Sequence, residues 1–349
     1  MRELGRPLAG KVLGLAAIVS VLIGGRWIAF SLQDLGSPAP SARSTGNDAL
    51  WLSHRWVDGR EGPADVAALA ARLRGTGIRD LFVHVGPLAA DGTLDPGLRP
   101  RARWFVGAVH QAMPGIRLQA WIGDTVPPTG SLDLEDPSAR RRIAGAAALV
   151  LDDGFDGIHV DFEPVGDADP GYLAVLDEVR PVVHAAGGVL SVSAEQVEPV
   201  AGGRWIMEAA VGHGTWWSAA YLHQVAERVD QVAVMSYDTA LWSASAYSGF
   251  VRDETAAALA AVPPWVTLFI GAPAYRATGT GPDLGHIDSA ETVGAAIRGM
   301  RLGLSSAGSP SAGPGGRALG IALYFDYTAT PADWAAYRSD WLGSDIEGR

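Results

Sequence analysis

Residues 155–164 read Phe155-Asp156-Gly157-Ile158-His159-Val160-Asp161-Phe162-Glu163-Pro164. From Ile158 to Glu163 apolar and polar side chains alternate, and a period of two marks a strand. His159, Asp161 and Glu163 therefore share one face, while Ile158, Val160 and Phe162 share the other. The apolar face needs a covering layer, and the ionisable face needs partners or a cavity. A barrel strand meets both demands: helices cover its outside, and its inner face looks into the barrel. Glu163 then stands at the carboxyl end of the strand, where barrel active sites are built.

Working outward, seven more short apolar runs appear at Leu50–Val57, Arg79–Val85, Ile116–Ile122, Val189–Ala194, Gln231–Tyr237, Trp265–Ile270 and Ala318–Tyr327. Helix-periodic segments separate them, among them Pro63–Arg74, Pro137–Leu151, Tyr172–Ala186, Ser218–Val229, Glu254–Ala261 and Glu291–Leu302. Strands alternating with helices make a parallel sheet covered on both faces. The economical solution is an α/β fold of the (β/α)8 TIM-barrel type, a single catalytic domain over residues 48–345. A doubly wound sheet fits the alternation too, but neither a G-x-G-x-x-G turn nor a phosphate-binding G-x-x-x-x-G-K-[ST] loop is present. The low-complexity stretch Gly303–Arg317 reads as a flexible loop before the last strand.

Composition narrows the function. At 48% hydrophobic and 19% charged over 349 residues, the chain is globular. With 27 basic against 38 acidic residues it lacks the basic footprint of a nucleic-acid partner. The absence of cysteine excludes disulfide scaffolds, thiolate nucleophiles and zinc–thiolate centres. Arg2, Arg6 and Lys11 precede an apolar run from Val12 to Gly25, the pattern of an export signal. Read on past Arg26 to Leu32, the run reaches roughly the ~20 residues a bilayer requires. Residues 1–32 are expected to be a signal peptide or signal anchor, leaving the barrel outside the cell, secreted or membrane-tethered. Residues 33–47, rich in Pro, Ser and Gly, read as a flexible linker.

Two carboxylates on one strand face allow one to hold a proton while the other stays ionised, the arrangement used for acid–base work on a glycosidic oxygen. No cofactor and no metal site is expected, because no histidine pair has ligand spacing and Asp152 and Asp153 fall at the opposite end of the strand from Glu163. No G-x-S-x-G nucleophile elbow occurs. A glycosidase with its own nucleophile needs a carboxylate ending the seventh strand, and Trp265–Pro273 carries none. Glu195, after the fifth strand, is the other acid able to face Glu163, and reads as a solvated loop residue. Trp216, Trp217 and Trp242 are placed near the mouth, suited equally to sugar stacking and to packing. Trp334 and Trp341, at helical spacing, read as packing.

The fourth-strand segment resembles the D-G-x-D-x-D-x-E signature of glycoside hydrolase family 18, the chitinase-like family. Asp156, Gly157, Asp161 and Glu163 match it, and His159 stands where the family has its middle Asp. A second feature, Val234-Met235-Ser236-Tyr237-Asp238, matches the family's M-x-Y-D on the sixth strand. The resemblance implies a retaining, substrate-assisted mechanism in which the substrate's own acetamido oxygen attacks the anomeric carbon. Glu163 would be the general acid and base, Asp161 would orient the acetamide, and Tyr237 would bind its carbonyl. Asp238 and Met235 would line the same subsite, while Asp156 and Gly157 would be structural. Two further departures appear: the third strand ends Trp121-Ile122-Gly123-Asp124 rather than in S-x-G-G, and Tyr324 replaces the tryptophan floor. Trp121, Tyr324 and His159, the last hydrogen-bonding Asp161, are expected to help hold substrate. The implied substrate is a β-linked polysaccharide containing N-acetylglucosamine, such as peptidoglycan, chitin-like oligomers or another acetylated surface polymer. The alternative is a catalytically weak or inactive glycan-binding protein on the same barrel.

Overall fold

The computed structural model describes residues 25, 27–199, 216–277, 285–307 and 318–343. Eight parallel strands close into a barrel: β1 (Asp48–Leu52), β2 (Ile78–Pro87), β3 (Arg117–Thr125), β4 (Gly157–Glu163), β5 (Val189–Ala194), β6 (Gln231–Val234), β7 (Thr267–Pro273) and β8 (Leu319–Tyr324). Each strand pairs with its neighbours in chain order, and β8 pairs back to β1. All eight expected strands form. The sixth ends at Val234, so Met235–Asp238 lies past the ladder, where its side chains are free of strict alternation.

The helices start where the chain supplies caps. Those covering the barrel are α1 (Pro63–Leu73), α2 (Ala102–Ala112), α3 (Pro137–Asp152), α4 (Pro170–Ala185), α5 (Ala219–Ala226), α6 (Ala244–Ala261), α7 (Val293–Ser306) and α8 (Pro331–Ala336). Pro63, Pro137, Pro170 and Pro331 open their helices, where a missing N–H costs nothing. Side-chain oxygens of Asp136, Asp169, Ser218, Ser243, Thr292 and Thr330 accept N–H groups of the first turns of α3 to α8. Helix α6 begins at Ala244, well before the expected Glu254, because its first turns bury small residues against α7. Gly299 and Gly303 in α7 meet α6 so closely that a Cβ at either would overlap its backbone.

Two apolar layers result. Outside the barrel, Ile158, Val160 and Phe162 of β4 join the large core beneath the helices. Inside, a smaller cluster of Trp51, Phe82, Ala233 and Phe269 fills the barrel, with Trp121, Tyr324 and Phe325 packed above it. Below that cluster lies a polar plug. Arg117 donates two bonds to Asp80 at 2.8 and 2.7 Å, and Gln119 links Asp80 to Gln231. The seam between β1 and β8 is closed by buried Asp48, which accepts from Ile321 N (3.0 Å), Trp341 Nε1 (2.9 Å) and Tyr337 Oη (2.8 Å). Trp341 is thus packing, as its spacing suggested.

The stretch preceding β1 corrects the expectation of a flexible linker over residues 33–47. Phe30 is buried edge-on against Phe250, and Gly249 leaves room for its backbone. Arg298 holds Asp34 at 2.7 Å, Arg252 bonds Gln33, and Ser44 bonds Asp48 at 2.6 Å. Small and polar residues here serve close seating on α6 and α7 rather than freedom. No helix among the described residues is long and apolar enough to cross a membrane, and most of the basic leader and its apolar run lie outside them.

Candidate active site

The carboxyl ends of the strands surround a cavity of about 300 Å³ lined by Trp51, Trp121, Asp161, Glu163, Ser193, Met235, Tyr237, Asp238, Tyr275, Tyr324 and Phe325. Seven expected site residues meet here: Glu163, Asp161, Tyr237, Asp238, Met235, Tyr324 and Trp121. The β3–β4 register sets Gly123 beside Asp161 and Thr125 beside Glu163. At Gly123 a Cβ would overlap the Asp161 carbonyl, so β3 approaches β4 closely because that residue lacks one. The Tyr237 and Tyr324 rings stack at 5.5 Å, and Tyr324 meets Trp51 edge-on at 5.7 Å. The peptides Glu163–Pro164 and Tyr324–Phe325 are both cis.

His159 departs from its expected place. It is fully buried one layer below the cavity, its ring stacked at 3.9 Å on Phe82, and does not line the substrate space. Nor does it bond Asp161 directly. Trp51 Nε1 donates to its Nε2 at 3.0 Å, and Nδ1 meets Ser191 Oγ at 2.7 Å. An indole N–H only donates, so Nε2 carries the lone pair and Nδ1 the proton. Ser191 passes the chain on by donating to Gln119 Oε1 at 2.6 Å. Burial also holds the imidazole neutral, bringing its pKa down to about 3. Ser193 Oγ lies 3.0 Å from the same Nε2 and also reaches the Asp161 carboxyl; with Nε2 already accepting from Trp51, the single Ser193 hydrogen is left for the carboxylate.

Asp161 sits in this frame with its carboxyl reached by Ser193, Trp121 and Glu163, while Oδ1 has no hydrogen-bond partner. Burial raises its pKa to about 6 against the pull of those hydrogen bonds. Glu163, at the mouth of the same face, has its pKa raised by burial and then by the charges of Asp161 and Glu195. Glu195 corrects the reading of a solvated loop acid. It is half-buried and close enough to both carboxyls to interact with them, and burial brings its pKa up to about 8. The strand period explains this: Ser191 and Ser193 point into the barrel, and Glu195 follows on the same side.

The loop after β6 is held by a charged cluster that sequence reading missed. Asp238 and Ala240 have φ of 59° and 55°, in the left-handed region. Glu291 Oε2 accepts Asp238 N at 2.7 Å, and its Oε1 accepts Thr239 N at 2.9 Å. Tyr275 donates to Asp238, and Gln196 donates to the Tyr237 carbonyl. Among the described residues, Asp238, His286 and Glu291 bring their donor atoms within 4.8 Å of one another. Both His286 nitrogens face carboxylates, Nδ1 toward Asp238 (3.4 Å) and Glu291 (3.5 Å), Nε2 toward Asp288 (3.4 Å). A metal ligand offers one nitrogen, whereas an imidazolium offers two N–H groups, so the ring fits the cluster as a cation. Burial opposes that charge, but Asp238 and Glu291 outweigh it and bring the pKa up to about 9.

The remaining expected residues are structural. Asp156 lies at the amino end of β4, accepting Leu118 N at 2.8 Å beside His110 at 2.8 Å. A Cβ at Gly157 would overlap the Val189 carbonyl, so that position sets the β4–β5 spacing. Asp153, far from the mouth, pairs with Arg99 and Arg103, both at 3.0 Å. Trp216 and Trp217 form a two-residue ladder with Gln196–Val197, and Trp217 is buried with its N–H on the Val165 carbonyl. Trp242 is 75% exposed. Trp51, Ser193, Tyr275 and Phe325 are the lining residues that sequence reading left out. Alternation along β1 and β5 carried the signal for the first two.

No protein-family profile matches the sequence, and no curated protein sequence does. Solved structures do match. The spore cortex-lytic enzyme SleL of Bacillus cereus superposes with a TM-score of 0.57 at 14% identity, over 86% of this chain and 75% of that one. A chitinase from Chromobacterium violaceum gives 0.55 at 17% identity, over 83% and 97%. A glycoside hydrolase family 18 N-acetylglucosaminidase from Paenibacillus barengoltzii gives 0.52 at 13%, over 83% and 98%. At such identities the likeness is one of fold. What the chain shares with these structures is the closed parallel barrel.

Proposed function

We propose that the chain is a family 18 type glycoside hydrolase acting on β-linked glycans that contain N-acetylglucosamine. The observation that carries this reading is the juxtaposition of Asp161 and Glu163 on one strand face, opening into a cavity shared with Tyr237, Asp238 and Tyr324. Glu163, its pKa raised by burial and neighbouring acids, keeps a proton for the leaving glycosidic oxygen and then takes one from the incoming water. Asp161 Oδ1, an acceptor with no partner, suits the N–H of a substrate acetamide. Holding that N–H turns the acetamide oxygen toward the anomeric carbon, so the substrate supplies its own nucleophile and configuration is retained. Tyr237 donates to that oxygen, and Tyr324 offers an aromatic face to the sugar ring.

The polymer is proposed to be peptidoglycan, a chitin-like oligomer or another acetylated surface glycan. Residues 1–32 are proposed to export the protein, as signal peptide or anchor, supported by Arg2, Arg6 and Lys11 ahead of the apolar run. The test is hydrolysis of aryl chitobiosides and purified peptidoglycan by the full chain beside Glu163→Gln, with a thiazoline analogue of the acetamido intermediate. Turnover that the analogue blocks is expected, with Glu163→Gln lowering kcat by about a thousandfold or more and leaving binding in place. Equal turnover in the variant overturns the assignment of the acid. Absent turnover with glycan binding retained favours the glycan-binding protein.

A further inference from the structure

Beyond Trp121 and Phe325 the cleft continues into a second chamber of about 370 Å³, which those two residues share with the catalytic cavity. The two chambers have opposite chemistry. Among the described residues, the catalytic one is lined by Asp161, Glu163 and Asp238 and by no cation. Among the described residues, the second is lined by Arg55, Arg60, His54 and His84 and by no acid. In a chain with net charge −11, that reversal across one aromatic wall is a local feature of the fold.

The cations are held rather than loose. Glu61 holds Arg55 Nε at 2.9 Å, and Asp58 holds Arg60 Nε at 2.7 Å and Nη2 at 2.5 Å. Arg55 and Arg60 nevertheless remain 43% and 57% exposed, and each guanidinium has five donors. The acids take only part of each guanidinium's donors, and both arginines line the chamber. His54 and His84 meet edge-on at 5.6 Å, and His84 meets Trp121 edge-on at 4.8 Å. Burial and the neighbouring His54 bring the His84 pKa down to about 4, so His84 adds no charge to that of the arginines at neutral pH. Tyr327, 57% exposed and 4.5 Å from Phe325, adds an aromatic edge where a sugar ring can rest.

We infer that the second chamber binds a sugar carrying an anionic substituent, a carboxylate or a phosphate, joined to the N-acetylated sugar in the catalytic chamber. This inference rests on the hydrolase reading of the catalytic chamber and specifies its substrate class. Guanidinium forks match carboxylate and phosphate geometry with paired hydrogen bonds, and the aromatic wall serves the ring that carries the anion.

The test is equilibrium binding to the full chain carrying Glu163→Gln, which needs no turnover. Three tetrasaccharides of equal length are compared: neutral β-linked N-acetylglucosamine, the same chain bearing a lactyl-ether carboxylate on alternate sugars, and the same chain bearing a sugar phosphate. The anionic ligands are expected to bind about tenfold or more tightly than the neutral one. That preference falls toward unity in Arg55→Gln/Arg60→Gln and at high salt. Whichever of carboxylate and phosphate is preferred identifies the source. Arg103→Gln, an exposed arginine paired with Asp153 far from the mouth, serves as control and keeps the preference. Neutral and anionic chains binding alike, or a preference that survives loss of both arginines, overturns the inference and leaves the hydrolase reading standing. If none of the three binds and the unmutated protein cleaves none, both readings fall together.

Discussion

Trp51 donates its indole N–H to Nε2 of His159 at 3.0 Å across the barrel interior, from the first strand to the fourth. That single bond fixes the tautomer of an imidazole that burial keeps neutral, and leaves the Ser193 hydroxyl to serve Asp161. A carboxylate at position 159 could share a proton with Asp161. A neutral histidine cannot, so Asp161 depends on Ser193, Trp121 and Glu163.

Ser193→Ala removes one of those supports. Asp161, already raised to about 6 by burial, is expected to move higher. The acid limb of kcat/KM should shift upward by about 0.5–1 pH unit, since a lost hydrogen bond to the charged form raises a carboxyl pKa. The pH–rate profile checks this. An unmoved acid limb would show that Asp161 does not control it.

Glu195 gives a different signature. Below its pKa of about 8 it is neutral, so Glu195→Gln should change kcat little at pH 6. Above pH 8 its charge helps hold the proton on Glu163, and the glutamine supplies none. The basic limb of the profile should therefore move down by about 0.5–1 pH unit in the variant. A uniform loss of kcat at every pH would instead mark a packing role.

These residues also show where sequence reading stops. Asp161, Glu163 and Tyr237 were legible because strand alternation and two short motifs place them, and the closed barrel followed from the eight apolar runs. Ser193 and Trp51 obey the same alternation, but a serine and a tryptophan do not announce chemistry until a ring nitrogen lies between them. His159 was read as a direct partner of Asp161; bonds to Trp51 and Ser191 decide otherwise. The linker reading failed because Arg252 of α6 and Arg298 of α7 hold Gln33, Asp34 and the Gly36 carbonyl, contacts that a Pro, Ser and Gly composition does not reveal.

Glu254 tests the cost of a buried acid away from the chemistry. It is fully buried in α6, accepting Val197 N at 3.0 Å through Oε1, while Oε2 has no partner. Burial raises its pKa to about 7 from 4.5. A carboxyl raised in the folded state contributes stability below pH 4.5, and that contribution is lost as pH climbs through 7. Glu254→Gln should flatten the fall of Tm between pH 5 and pH 8 by a few degrees, the scale expected for a change of about 1–2 kcal/mol. Scanning calorimetry of both proteins across that window checks it, and parallel Tm curves would remove Glu254 from the account.

His286 bears on how the loop carrying Tyr237 and Asp238 is held. Its two ring nitrogens face Asp238, Glu291 and Asp288, and Tyr275 packs over the ring at 4.3 Å. Without a cation there, Asp238 and Glu291 are left as neighbouring carboxylates that repel each other. His286→Asn keeps polarity but removes the charge. The expected result is a rise in KM and a fall in kcat of about tenfold or more at pH 7, as Asp238 leaves the catalytic cavity. Because the imidazolium titrates at about 9, the unmutated protein should lose activity above that pH, in step with the variant's loss at pH 7. His286→Lys, which restores a cation on a longer stem, should recover part of the activity. Recovery equal in Asn and Lys variants would show that ring packing, not charge, holds the loop.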